Sequence, residues 1–348
     1  MEEVCLSLSD GAQWRGRGRL YGEGVEGEAV FATAMSGYPQ SITDPSYVGQ
    51  ILIFAFPPMG IYGVDHPLES ERPQPRAVVV GTLREAAEGL TLSRWLEEHN
   101  TPLVAEVDTR SLVRHLREHG TAMGRISRNG EAPRTIELPP LVSEVSTKEA
   151  AVWEGDGPTV AVMDYGVKMG IVRELVKRGC RVVRLPHDCD AKSALAFDPA
   201  GVILSNGPGD PSKLRDEVSV VRDLLGSVPI MGICLGNQLL ALACGARTEK
   251  LPYGHRGANH PVCEISSGRG FVTSQNHGYA IVEESLHNTG LVATYRHLSD
   301  GSVEGVSHKE VPAWGVQFHP EACPGPRDVN FLFDRFVDSL KGAPCDVR

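Results

Sequence analysis

The chain has 348 residues, 41% hydrophobic and 22% charged, with a formal net charge of −10 at pH 7. That length exceeds one ordinary domain and supplies enough interior to fold without staples, so two domains are expected. The acidic balance disfavours a protein that grips a nucleic-acid backbone through clustered Lys and Arg. No apolar stretch approaches the roughly 20 residues of a membrane-spanning helix. The opening MEEVCLSLSDG lacks the basic and apolar regions of a secretion signal. We expect a cytoplasmic protein with neither a nucleic-acid nor a membrane partner.

In chain order, the first part reads as β-rich. Short apolar or alternating runs in VCLSLSDGAQWRGRGRL and GEAVFATAMSGYPQSITDPSYVGQILIFAFPP are punctuated by Gly, Pro and Asp-Gly turn signals. Two helices follow, over 90–100 and 108–120. The second has Asp108 as N-cap, Leu112, Val113 and Leu116 at helical spacing, and Gly120 as its stop. The mixture suggests an α+β domain over 1–140. Residues 141–157 carry Gly, charges and few apolar runs and are expected to form a linker.

From Thr159 the pattern changes to alternating strands and helices. TVAVMDYG, RVVRLP, AGVILSNGPGDP and VPIMGIC read as buried strands. MGIVRELVKRGC reads as a helix with Ile171, Leu175 and Val176 inward. PSKLRDEVSVVRDLLGS reads as another, with the stripe Leu214, Val218, Val221 and Leu225, and LGNQLLALACG as a third. The expectation over 158–343 is an α/β fold with a doubly wound, mostly parallel sheet and flanking helices, followed by a tail over 344–348. Ligands of such sheets bind at the carboxyl ends of the strands.

Cys234 stands at one of those ends. The eight cysteines are scattered, with no C-x-x-C pair, which fits neither a zinc ribbon nor a disulfide framework. Cys234 differs from the others by address. It lies between a buried strand and a helix N-terminus, which favours a thiolate, and between Gly232 and Gly236, which allow close backbone approach. Gly-x-Cys-x-Gly is the thiol counterpart of the hydrolase nucleophile elbow, with the Leu235 N–H facing a developing oxyanion. Cys244, deep in the following helix, reads as packing.

Among twelve histidines, His319 at the end of the apolar run WGVQF is the best base. Glu321, two residues on, points the same way in an extended backbone and can orient the imidazole. The loop SNGPGDP has more than one reading. It lacks the Lys-Ser/Thr ending of a P-loop. Gly207 can supply a second oxyanion N–H and Gly209 can admit a ligand backbone, while Asp210 and Pro211 equally suit a turn and cap. FVTSQNHGYAI places Gln275, Asn276 and His277 after an apolar strand, either as a small-zwitterion site or as a surface turn.

Together, SNGPGDP, GICLGNQ, SQNHG and QFHPE resemble a class I, triad-type glutamine amidotransferase domain. The N-terminal segments AMSGYPQSITDPSYVGQILIFAFPPMGIYGV and VDTRSLVRHLREHG, with GHRGANHPV and HPEACPGPRD, are similar to the small, glutamine-hydrolysing subunit of carbamoyl-phosphate synthase. The likeness runs from about residue 4 to 338. It implies Cys234 as nucleophile, His319 as base and Glu321 as its partner, with Gly207 and Leu235 as oxyanion donors. It also implies Ser46, Gly209, Gln238, Asn276, Gly278 and Tyr279 as glutamine-binding positions. L-glutamine is then the substrate and a carbamoyl-phosphate synthase large subunit the partner. No metal or cofactor is expected on this chain, ATP and Mg being expected on the large subunit. Asn237 departs from the family's common His, and Tyr279 from its common Phe. Three alternatives are a free-standing glutaminase or other amidotransferase, a non-catalytic docking subunit, and a thiol hydrolase of γ-glutamyl peptides.

Overall fold

The computed structural model describes residues 1–341 except 65 and 136. The expected tail 344–348, the domain end at 343 and Cys345 lie outside the described residues. The chain divides into two compact units, Met1–Leu141 and one from Val142 onward. Among the described residues no helix is long and apolar enough to cross a membrane.

In the first unit seven strands close into a barrel. Their order is Glu2–Leu8, Gln13–Gly18, Leu103–Ala105, Ala77–Val79, Gln50–Phe54, Gly24–Ala32 and Ala122–Ser127, which pairs back onto Glu2–Leu8. Closure leaves Gln50–Phe54 covered on both faces, so Ile51 to Phe54 are all buried and read as one apolar run. Leu52 and Phe54 pack with Val30, Val78, Trp95 and Leu96; the pleat sends Ile51 and Ile53 the other way. The two expected helices form over Leu92–Glu98 and Thr109–His119. Asp108 caps the second by accepting the Ser111 N–H at 3.0 Å, and Gly120 ends it at φ 90°. Leu112 and Leu116 are buried, while Val113 is only partly so.

The second unit is built on a ten-stranded sheet. Arg181–Pro186, Thr159–Asp164, Gly201–Leu204, Ile230–Ile233 and Ala313–Val316 run parallel as neighbours. Alternate residues feed two cores. Ala161, Met163, Val202 and Leu204 pack under the helices Ala191–Leu195, Arg215–Leu224 and Leu235–Ala243. Val160, Val162, Ile203 and Met231 pack under Met169–Lys177 and Phe331–Ser339.

Three expectations need correcting. The sheet is mixed rather than mostly parallel, because Val303–His308, Gly270–Ile281, Thr248–Glu264 and Leu291–His297 extend it as antiparallel neighbours. The expected linker 141–157 holds structure of the second unit: a short helix Val142–Val145, and a strand Ala151–Trp153 that pairs antiparallel with Arg181–Pro186. Two helical stripes are also shifted by the true helix phase. Val172, not Val176, is buried beside Ile171 and Leu175, and Leu224, not Leu225, is buried beside Val221.

Candidate active site

The strand Ile230–Ile233 ends at Cys234 and the helix Leu235–Ala243 begins at once. Making that reversal without a spacer forces Cys234 to φ 54° and ψ −103°, a conformation that a side-chain-bearing residue holds only when its surroundings impose it. Close backbone approach is part of that imposition. A Cβ on Gly236 would stand 2.0 Å from the Leu204 carbonyl oxygen, so only glycine lets the helix meet the neighbouring strand end. Cys234 is 2% exposed, and its Sγ donates to the Asn276 carbonyl at 3.6 Å and accepts from Gln317 Nε2 at 3.5 Å.

His319 lies just beyond the strand Ala313–Val316 and is tied by a single bridge to Ser274, its N–H donating to the Ser274 carbonyl at 2.9 Å. Its Nδ1 meets Glu321 Oε1 at 2.6 Å. The contact expected from an extended run is thus made across a turn. Because the carboxylate accepts, Nδ1 carries the proton and Nε2 is directed elsewhere. Nε2 has no hydrogen-bond partner among the described residues.

Lys168 completes the arrangement, and sequence reasoning missed it. Its Nζ reaches Glu321 Oε1 at 2.9 Å and donates to the Ala322 carbonyl at 2.7 Å, with the side chain almost wholly buried. Burial would raise the Glu321 carboxyl, but Lys168 and His319 hold it down at about 2. Burial would likewise lower His319. The Glu321 charge outweighs it, against the opposing Lys168 charge, and with the Cys234 side chain assisting pushes the imidazole up to about 10. Cys244, the C-cap of the same helix as Cys234, has none of these neighbours, and burial pushes its thiol up to about 11.

Gly207 follows the strand Gly201–Leu204 and lies against the start of the helix after Cys234. A Cβ there would stand 2.1 Å from the Tyr165 carbonyl oxygen and 2.8 Å from Leu235 Cδ2. Leu235, as the first helical residue, has no intrahelical acceptor for its N–H. Gly209 continues the loop at φ 93°. Gly207→Ala therefore displaces the loop from the helix start. For the oxyanion role that the resemblance assigns to Gly207, the expected result is a fall in turnover of about 100-fold with KM changed far less; steady-state kinetics on the variant check this.

Gln275, Asn276 and His277, expected just after a strand, sit inside the strand Gly270–Ile281, as do Gly278 and Tyr279. Gln238 is buried, its Nε2 donating to the Tyr279 carbonyl at 2.8 Å and to Gln317 Oε1 at 3.0 Å. That amide holds the strand rather than offering its N–H groups to a ligand. Gln317, also missed from sequence, links this network to Cys234. Ser46 belongs to the first unit, in the short turn of helix Pro45–Tyr47, with its N–H donating to Asp44 Oδ1 at 2.9 Å. Asn237 is fully buried, and neither atom of its amide has a hydrogen-bond partner among the described residues.

Residues 161–339 match the family model "Glutamine amidotransferase class-I", and residues 6–126 match "Carbamoyl-phosphate synthase small chain, CPSase domain". A carbamoyl phosphate synthase small chain of Listeria monocytogenes is 46% identical over 358 residues, spanning 98% of this chain and 98% of that one. The chain belongs to the carbamoyl phosphate synthase small chain family. Other relatives so named, from Staphylococcus epidermidis and Oceanobacillus iheyensis, are 44% and 43% identical, spanning 98% and 99% of this chain and 97% of each of theirs. As a small chain with a class I glutamine amidotransferase domain, this protein is a glutamine-hydrolysing enzyme.

Proposed function

We propose that Cys234, His319 and Glu321 carry out that hydrolysis as nucleophile, base and orienter, and that the ammonia released is passed to a large subunit, which makes carbamoyl phosphate from bicarbonate and ATP. One observation carries the assignment. Cys234 is strained to φ 54° at a helix start, while His319 presents an unpartnered Nε2 because Glu321 holds its Nδ1 at 2.6 Å.

The chemistry follows from these atoms. His319 takes the thiol proton, and the Glu321 charge raises its affinity for it. The Cys234 sulfur attacks the γ-carboxamide carbon of glutamine, and the carbonyl π pair moves to oxygen. The N–H groups of Leu235 and Gly207 receive that oxyanion, each contributing about 3–4 kcal/mol in comparable sites. The C–N bond then breaks as His319 protonates the leaving nitrogen, which departs as ammonia and leaves a γ-glutamyl thioester. Water, losing its proton to His319, attacks the thioester. The C–S bond breaks, glutamate leaves and the thiol is restored. Asn276, Gly278 and Tyr279, on the strand whose Asn276 carbonyl meets the Cys234 thiol, hold the substrate with Gly209. Gln238 acts through the Tyr279 backbone, and Ser46 of the first unit is assigned to glutamine binding on the family resemblance.

A glutamine analogue bearing an electrophile at the γ-position tests the nucleophile. Peptide mapping after labelling is expected to place one adduct on Cys234, with Cys244 and Cys180 unmodified and glutamine protecting. Labelling at any other cysteine with loss of activity overturns the assignment.

A further inference from the structure

In the antiparallel half of the sheet, three neighbouring strands bring three ligating side chains together. His255 on Thr248–Glu264 is the register partner of His277 on Gly270–Ile281, and Glu304 lies on Val303–His308, the next strand across. His255 is 6% exposed, His277 5% and Glu304 0%. Glu304 Oε1 stands 3.5 Å from His255 Nδ1 and 3.7 Å from His277 Nε2, and all three atoms lie within 4.8 Å of one another. None of the three has a hydrogen-bond partner among the described residues.

Their outer atoms explain why the inner ones converge bare. His255 Nε2 faces Asp300 Oδ2 at 2.8 Å, so Nε2 carries a proton and Nδ1 is the nitrogen left to face Glu304. His277 Nδ1 faces the Tyr279 carbonyl at 2.8 Å, so it is protonated and the lone pair sits on Nε2. Glu304 Oε2 accepts from Gln275 Nε2 at 2.6 Å, which leaves Oε1 turned to the imidazoles. Three buried ligand-type atoms facing one point, each aimed by an oriented outer contact, is the construction of a metal site with its supporting shell. Atoms ligating one zinc-sized ion at about 2.0–2.1 Å stand roughly 3.3 Å apart, close to the two spacings from Glu304.

We propose that His255 Nδ1, His277 Nε2 and Glu304 Oε1 bind one divalent first-row metal ion of the zinc class. Two imidazoles and a carboxylate select such an ion over magnesium or calcium, which prefer oxygen ligands throughout. The ion ties three strands together and fixes the segment 275–279. The adjoining trio His255, His260 and His297 is a weaker claimant. His297 Nδ1 accepts the Ser299 N–H at 3.1 Å, so its Nε2–H is donated to His260 Nδ1 at 3.0 Å, and those two rings satisfy each other. The expectation of no metal on this chain rested on cysteine spacing and on the needs of the glutaminase chemistry, and neither bears on this cluster.

The test uses the full-length chain, stripped with a chelator, reloaded with Zn2+, desalted and assayed by elemental analysis and thermal unfolding. About one zinc per chain and a Tm raised by zinc are expected. Glu304→Gln, whose side-chain oxygen still accepts from Gln275, and His255→Gln are each expected to retain less than about a tenth of that zinc. His115→Gln, on the barrel unit, is expected to retain all of it. Zinc absent from the parent chain, or bound in full by both cluster variants, overturns the site. Should both variants fail to fold, zinc-edge X-ray absorption on the parent decides: a nitrogen and oxygen shell supports the site and a sulfur shell overturns it. None of these readouts depends on glutamine hydrolysis.

Discussion

Cys234→Ser is expected to lower glutamine hydrolysis by about 10,000-fold or more, while carbamoyl phosphate formation from free ammonia by the assembly with the large subunit stays within about twofold. Serine preserves the side-chain shape, so the strained turn at φ 54° and the helix after it remain. What is lost is the proposed nucleophile. A hydroxyl ionises far less readily than a thiol, and its shorter bond to carbon draws the attacking atom back from both His319 and the oxyanion donors. Free ammonia bypasses the thioester altogether, so the two assays separate loss of chemistry from loss of assembly. If glutamine hydrolysis survives at the parent rate, Cys234 is not the nucleophile. If ammonia-dependent synthesis falls equally, the residue acts through assembly instead.

Much of this site was legible in the sequence because its chemistry is local. A nucleophile elbow needs a strand, a cysteine and a glycine-flanked helix start in one stretch, and His319 and Glu321 are two residues apart. Lys168 was not legible. In YGVKMG it reads as an unremarkable residue before a helix, and only the fold brings its Nζ to Glu321. Gln317 was hidden in the same way, within an apolar run that was read only for its histidine. His255, His277 and Glu304 are separated in sequence and meet only through strand register, which periodicity cannot fix. The barrel escaped for a similar reason: its closure pairs Glu2–Leu8 with Ala122–Ser127, whereas turn signals report only neighbours in the chain.

The second large effect is expected at Lys168. Lys168→Met keeps most of the side-chain volume but removes the ammonium that faces Glu321 at 2.9 Å. Leaving one partner of a buried pair behind typically costs about 3–5 kcal/mol. The cost should appear as a lowered midpoint in denaturant with the slope unchanged. Its pH dependence has a definite sign. Despite the opposing effect of burial, Lys168 and His319 hold the folded Glu321 carboxyl at about 2, below its ordinary value of 4.5. A group depressed on folding adds stability above its unfolded pKa, and that stability is lost as pH falls through its folded pKa. The parent chain therefore has the Lys168 contribution in full above about pH 4.5 and loses it on acidification toward pH 2, as Glu321 takes up a proton. Without Lys168 the carboxyl protonates at a higher pH, so there is less stability for acid to remove. The gap between parent and variant should be largest at neutral pH and should shrink as pH falls below 4.5. A gap that stays constant across that range would mean that the loss reflects packing rather than charge. Catalysis should respond as well: removing the Lys168 charge, which opposes protonation of His319, raises the imidazole's affinity for a proton, so the acidic limb of the glutamine-hydrolysis profile, where His319 must be free to accept one, should move to higher pH.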